Sequence, residues 1–181
     1  MSRRVARPYA TALFQVTQKE GVAALREIEG QLAAVVELFR LEPALVRVFE
    51  VPSVSPAVKL ELVNTIAKTL ALRAEAHRML VALEHHVRLR YLDEVVAFFR
   101  ELVDRKEGLV RGRVELPGAP REEQVAALAK ALAELLGTRV ELDVKLRQEL
   151  LAGFVVRVGS RVFDGSLLAQ VRRFASSAAG E

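Results

Sequence analysis

The hydrophobic pattern of this chain changes period once, from about 3.6 residues to 2, and the change falls near Gly108. A 3.6-residue period buries one stripe of a helix, and a period of 2 buries one face of a strand, so one sequence cannot serve both uses in the same stretch. The first 107 residues are therefore expected to be helical and the remainder mixed. The fold class that follows is α+β: an N-terminal all-α six-helix bundle over 1–107, then a smaller α/β domain over 108–181.

In the N-terminal part the clearest stripe is Leu92, Val95, Val96, Phe99, Leu102 and Val103, which share one helical face between about Arg90 and Lys106. A second stripe, Leu25, Ile28, Leu32, Val35, Val36 and Phe39, spans Val22 to Leu41 and stops at Pro43. A short helix over Ala44 to Glu50 follows. Ser55 before Pro56 is an N-cap with proline at the first helical position, opening a helix that buries Leu62, Val63, Ile66 and Leu70. Ala74 to Val87 forms a helix through Met79, Leu80, Leu83 and Val87, and Arg4 to Thr17 completes the six. None of them buries its face alone, which implies an antiparallel bundle.

Beyond Gly108, Val110, Val114 and Leu116 alternate with Arg111, Arg113 and Glu115, the pattern of a half-buried strand over Leu109 to Leu116. A helix over Arg121 to Leu136 has Glu122 and Glu123 in its first turn and Gly137 as its C′ residue. Val140, Leu142 and Val144 predict a second strand, Gly153 to Val158 a third, and Val162 and Phe163 a short fourth after a Gly159-Ser160 turn. Asp164 then caps a last helix that buries Leu167, Leu168, Val171 and Phe174.

Charge excludes some functions. Lys and Arg number 16 against 14 Asp and Glu before Gly108, and 11 against 9 after it, so each half carries +2 without a basic tract. A nucleic-acid binder concentrates its cations on one face or in a tract, whereas acids and bases alternate here, as in Arg26 beside Glu27 and Glu29. No cysteine is present, which removes disulfides, thiolate metal sites and thiol nucleophiles together. Arg3 and Arg4 are not followed by an unbroken apolar core, so no signal peptide is expected. No uncharged run reaches the ~18 residues of a membrane span, so no direct membrane insertion is expected.

Catalytic constellations are missing as well. Phosphate-loop and His-Glu-x-x-His patterns do not occur. His77, His85 and His86 lie in one amphipathic segment without a third ligand nearby, and they read as surface histidines. Asp93-Glu94 reads as helix-start stabilisation. Asp164 is the best isolated acid, and it reads as a helix cap. No catalytic, cofactor-binding or metal site is assigned.

The first helix has two apolar faces. Val5, Tyr9, Ala12, Leu13 and Val16 gather on one side, while Ala10 and Phe14 project from the other. Two readings stay open: the second face takes a partner's helix in a groove, or the helix is central and buried all round.

Two motifs carry a resemblance. Ala6-Arg7-Pro8-Tyr9-Ala10-Thr11-Ala12-Leu13-Phe14 is similar to the opening of the delta subunit family of F-type ATP synthases, whose mitochondrial relative is the oligomycin-sensitivity conferring protein. Leu151-Ala152-Gly153-Phe154-Val155-Val156-Arg157-Val158-Gly159, with Val162-Phe163-Asp164-Gly165-Ser166, resembles the same family's C-terminal signature. Ala152 stands where that signature has glycine, and His85-His86-Val87 intervenes where the family often shows Glu-Asn-x-Arg-Leu.

The resemblance implies a non-catalytic stator subunit, without cofactors. Its N-terminal domain would grip the N-termini of ATP synthase alpha subunits, one of them in a groove between the first and fifth helices. Tyr9, Ala12, Leu13, Met79 and Leu83 are the expected partner-binding residues, and Gly153, Asp164, Gly165 and Ser166 the structural motif. The C-terminal domain would hold the peripheral-stalk b subunits. The implied protein is a monomer alone, one copy per complex, peripheral on the cytoplasmic face of the bacterial plasma membrane. The rival classes are a small nucleic-acid-binding module, a regulatory adaptor and a small-molecule enzyme.

Overall fold

The computed structural model describes residues 2–150, 152–158 and 161–165, with the side chains of the first three residues left aside. The chain divides into two compact units, Met1–Glu107 and Gly108–Glu181.

The first unit consists of α1 (Ser2–Thr17), α2 (Val22–Leu41), α3 (Pro43–Glu50), α4 (Pro56–Thr69), α5 (Ala74–His85) and α6 (Leu92–Glu107), with single 3-10 turns at Gln18–Glu20 and Leu89–Tyr91. The six expected helices are all present. Their breaks follow local chemistry. Gly21 at φ 95° separates α1 from α2, and prolines open α3 and α4. The Ser55 hydroxyl accepts from the Val58 amide at 3.4 Å, which satisfies one of the free amides at the start of α4.

At the centre stands α6. Its stripe of Leu92, Val95, Val96, Phe99 and Val103 is buried and packs chiefly against α1 and α2, where Leu25, Ile28, Leu32 and Val35 meet it. At one edge of this contact Arg26 donates to Glu29 and Asp104 at 2.6 Å each and also to Glu107, while Arg100 reaches the other oxygen of Glu29. Burial opposes charge on Arg26, yet its hydrogen bonds to Glu107, Glu29 and Asp104 outweigh it and raise its pKa. The nearly buried carboxylates of Glu29 and Asp104 thereby keep their partners.

One expectation needs correction here. α5 ends at His85, two residues short of Val87, which is 58% exposed at φ 54°. The Val87 amide donates to the Glu84 carbonyl and the Arg88 amide to the Leu83 carbonyl, both at 2.7 Å. This pair of hydrogen bonds is a Schellman closure, which requires a left-handed residue at Val87 and points its side chain away from the core.

The second unit contains β1 (Leu109–Leu116), α7 (Glu122–Leu136), β2 (Arg139–Leu146), β3 (Val155–Val158) and β4 (Arg161–Asp164), with strand order β2-β1-β3-β4. β1 and β2 run parallel with Leu109 opposite Arg139, and α7 is their crossover. β3 and β4 add antiparallel on the other side. The register brings Val110, Val114, Val140, Leu142, Val156 and Val158 to one face, where Leu128, Leu132 and Leu136 of α7 pack. Arg111 pairs with Glu141 across the other face at 2.8 Å. At the end of β1, a hydrogen bond from Arg147 holds the Glu115 pKa below the usual carboxylate value.

The third strand also starts later than expected. Gly153 sits at φ 90°, so the backbone turns before the ladder begins at Val155. The expected Gly159-Ser160 turn and the last helix, with Leu167, Leu168, Val171 and Phe174, lie outside the described residues.

Candidate docking surface

α1 carries two stripes offset by one residue, one inward and one outward. Ala6, Ala10, Leu13 and Thr17 recur at i, i+4, i+7 and i+11 and are all buried. Val5, Tyr9, Ala12 and Val16 recur at the same spacing one position earlier, about 100° round the helix. Along this outer stripe Val5 and Tyr9 are half-buried, Ala12 is exposed and Val16 is 61% exposed. The helix is therefore not buried all round.

Thr17 takes a place in the core because its hydroxyl donates to the Leu13 carbonyl at 2.9 Å and needs no other partner. Phe14, on the far side, packs against the core as a partly buried side chain.

The expected partner-binding residues separate into two groups. Tyr9 and Ala12 stand on the outer stripe. Leu13, Met79 and Leu83 are 4%, 7% and 0% exposed and belong to the bundle core. They hold α1 and α5 in place and present no surface of their own. The stripe is continued beyond Tyr9 by residues that sequence reasoning had not assigned. The Arg88 guanidinium donates to the Tyr9 hydroxyl at 3.0 Å and lies 5.8 Å from its ring centroid. The His86 ring meets Tyr9 edge-on at 6.5 Å, and His85 meets His86 at 5.2 Å. No local pattern announces a contact across 79 residues of chain. The one signal was that this stretch departs from the family's usual sequence.

A cleft of about 470 Å³ lies between α4 and α5, lined by Pro56, Ala57, Leu60, Val81 and Ala82 and reaching His85 and His86. His77, the remaining histidine, places Nε2 2.7 Å from the Asn64 side-chain oxygen and ties α5 to α4. Among the described residues no group of His, Cys, Asp and Glu is arranged to hold a metal, and no helix is long and apolar enough to cross a membrane.

In the second unit Asp164 ends β4 opposite Val155. The Gly165 amide donates to the Phe154 carbonyl at 2.9 Å, and a Cβ at Gly165 would lie 2.9 Å from the Phe154 ring. This position therefore requires glycine for a close approach. Ser166 lies outside the described residues. Among the described residues the contact of Gly165 with Phe154 is one of packing.

The chain matches the family described as "ATP synthase delta (OSCP) subunit" over residues 5–177. It is 31% identical to the ATP synthase subunit delta of Nitratidesulfovibrio vulgaris (strain DSM 19637 / Miyazaki F), covering 92% of this chain and 91% of that one. It is 33% identical to the subunit delta of Magnetococcus marinus, over 93% and 91% of the two chains. A chain in the cryo-EM structure of the Toxoplasma gondii mitochondrial ATP synthase hexamer shares the fold, with a TM-score of 0.71 at 21% identity over 97% of this chain and 98% of that one.

Proposed function

The chain belongs to the ATP synthase delta (OSCP) subunit family, and from that membership we propose that it is the stator link between the catalytic head and the peripheral stalk of a bacterial F-type ATP synthase. It is a structural component of the complex and not a catalytic one. In this reading the unit Met1–Glu107 grips the N-terminal segment of an alpha subunit, and the unit Gly108–Glu181 holds the b subunits. The assembly sits at the cytoplasmic face of the plasma membrane, and this chain reaches it only through its partners.

The observation that carries the reading is the outer stripe of α1. Val5, Tyr9, Ala12 and Val16 form an apolar line that the bundle covers only in part. A line at this spacing suits an amphipathic helix laid alongside, the groove mode of helix recognition. In the second unit Leu135, Leu146 and Val162 are more than half exposed and offer apolar contact area to a different partner.

The mechanical argument is one of linkage. When the rotor turns, the head experiences torque, and the stator must hold it without slipping. Two linked contacts resist release better than either alone, because loss of one leaves the other to keep the partner at high effective concentration. Neither contact then needs extreme affinity.

The test is a single charge on the outer stripe. Ala12→Asp in the full chain places a carboxylate where a partner's apolar side would lie, and the site is already exposed, so the melting temperature should stay unchanged. Binding of the alpha N-terminal segment, read by titration calorimetry, should weaken by at least about 2 kcal/mol, the cost of burying an unpaired charge at a contact. Unchanged affinity would remove the outer stripe from the interface.

A further inference from the structure

α1 contains no acidic residue, and its arginines Arg3, Arg4 and Arg7 lie more than about 100° round the helix from the centre of the outer stripe, so the charge beside the stripe is that of Arg88. From His77 to Tyr91 the only carboxylate is Glu84, against Arg78, Arg88 and Arg90. Within that stretch Arg78 is paired with Glu75 of the same helix, and elsewhere in the unit Arg26, Arg40, Arg73 and Arg100 each reach a carboxylate. Among the described residues Arg4, Arg7 and Arg88 reach none.

Arg88 is also held in place. One terminal nitrogen donates to the Tyr9 hydroxyl at 3.0 Å, and the guanidinium lies 5.8 Å from the ring, beside the outer stripe. The chain is turned toward Tyr9 by Val87 in the left-handed region, an uncommon state for a β-branched residue. The remaining N–H groups of the fork are oriented in advance and have the geometry that receives a carboxylate.

We propose that the segment docking on the outer stripe is an acidic amphipathic helix, and that Arg88, positioned by Tyr9, binds one of its carboxylates. The proposal rests on the reading of the stripe as the site of the alpha N-terminal segment and adds what that site selects. The apolar line supplies contact area, and Arg88 discriminates among helices with similar stripes, the division of labour expected of a charge at the rim of an apolar interface.

The experiment titrates the full chain with the alpha N-terminal segment as a peptide, and with a neutralised version in which Asp and Glu are replaced by Asn and Gln. The neutralised peptide should bind roughly tenfold more weakly, the loss expected for one charge-assisted hydrogen bond, and the gap should narrow as salt is raised. Arg88→Met should remove the gap while leaving the neutralised peptide's affinity unchanged. Arg88→Lys should keep part of it, because the charge remains and the fork is lost. Circular dichroism of each variant checks that the bundle is intact.

Equal affinity for the two peptides in the unsubstituted chain, or a gap that survives Arg88→Met, would overturn the charge inference alone, since peptide binding lost in Ala12→Asp would still place the docking site. Failure of both peptides to bind would overturn the inference and the docking reading together.

Discussion

Val87 holds a φ of 54° with a β-branched side chain that is 58% exposed and makes no core contact. A left-handed conformation costs an L-residue with a Cβ on the order of 1–2 kcal/mol, and glycine avoids most of it at some cost in chain entropy. Val87→Gly should therefore stabilise the protein by about 1 kcal/mol, read as a higher midpoint in denaturant with an unchanged slope. A loss of stability would mean that the side chain makes a contribution its exposure does not reveal. Residue-level detail of this kind was only partly legible in the sequence. Ala12 and Leu13 are neighbours with similar apolar surroundings, and the stripes through them have identical spacing. Periodicity alone cannot choose the core stripe when the buried one ends in a threonine and the exposed one in a valine. The choice is made by the Thr17 hydroxyl, which satisfies itself on the Leu13 carbonyl and frees the other stripe to face outward.

Among the described elements, helices were readable to within a residue or two where proline, glycine and serine mark their ends chemically. Pro43, Ser55-Pro56 and Gly137 stand at boundaries the structure shares. Strand existence was equally plain for β1 and β2, but the pairing of strands was not read from the sequence. β1 is central because Gly112 allows it. A Cβ there would lie 2.7 Å from Val158 on β3 and 2.9 Å from Leu142 on β2, so both neighbours close in on a residue without a side chain. Gly112→Ala should destabilise the second unit by roughly 1–3 kcal/mol through overpacking. The loss should appear in the unfolding of the sheet and leave the amide-exchange protection of α2 and α6 unaltered, since the glycine belongs to the other core. Equal loss of protection in the helices would show that the two units unfold as one.

For the whole molecule, the switch of hydrophobic period near Gly108 coincides with the division into two compact units, each with its own buried cluster. The partners assigned to them came from family resemblance, because exposed apolar lines show where a chain binds and not which protein it meets. Separate cores make separate binding functions testable by dissection. The most direct measurement is a pull-down with a fragment ending at Glu107, beside the full chain, using the alpha N-terminal segment and the b subunits as bait, with circular dichroism as the check of fold. The fragment keeps all of α1 to α6 and the outer stripe, and it lacks every strand. It should be helical, bind the alpha segment with the affinity of the full chain and fail to recruit the b subunits, which the full chain retains. A well-folded fragment that loses the alpha segment, or one that still binds the b subunits, would contradict the assignment of one partner to each unit.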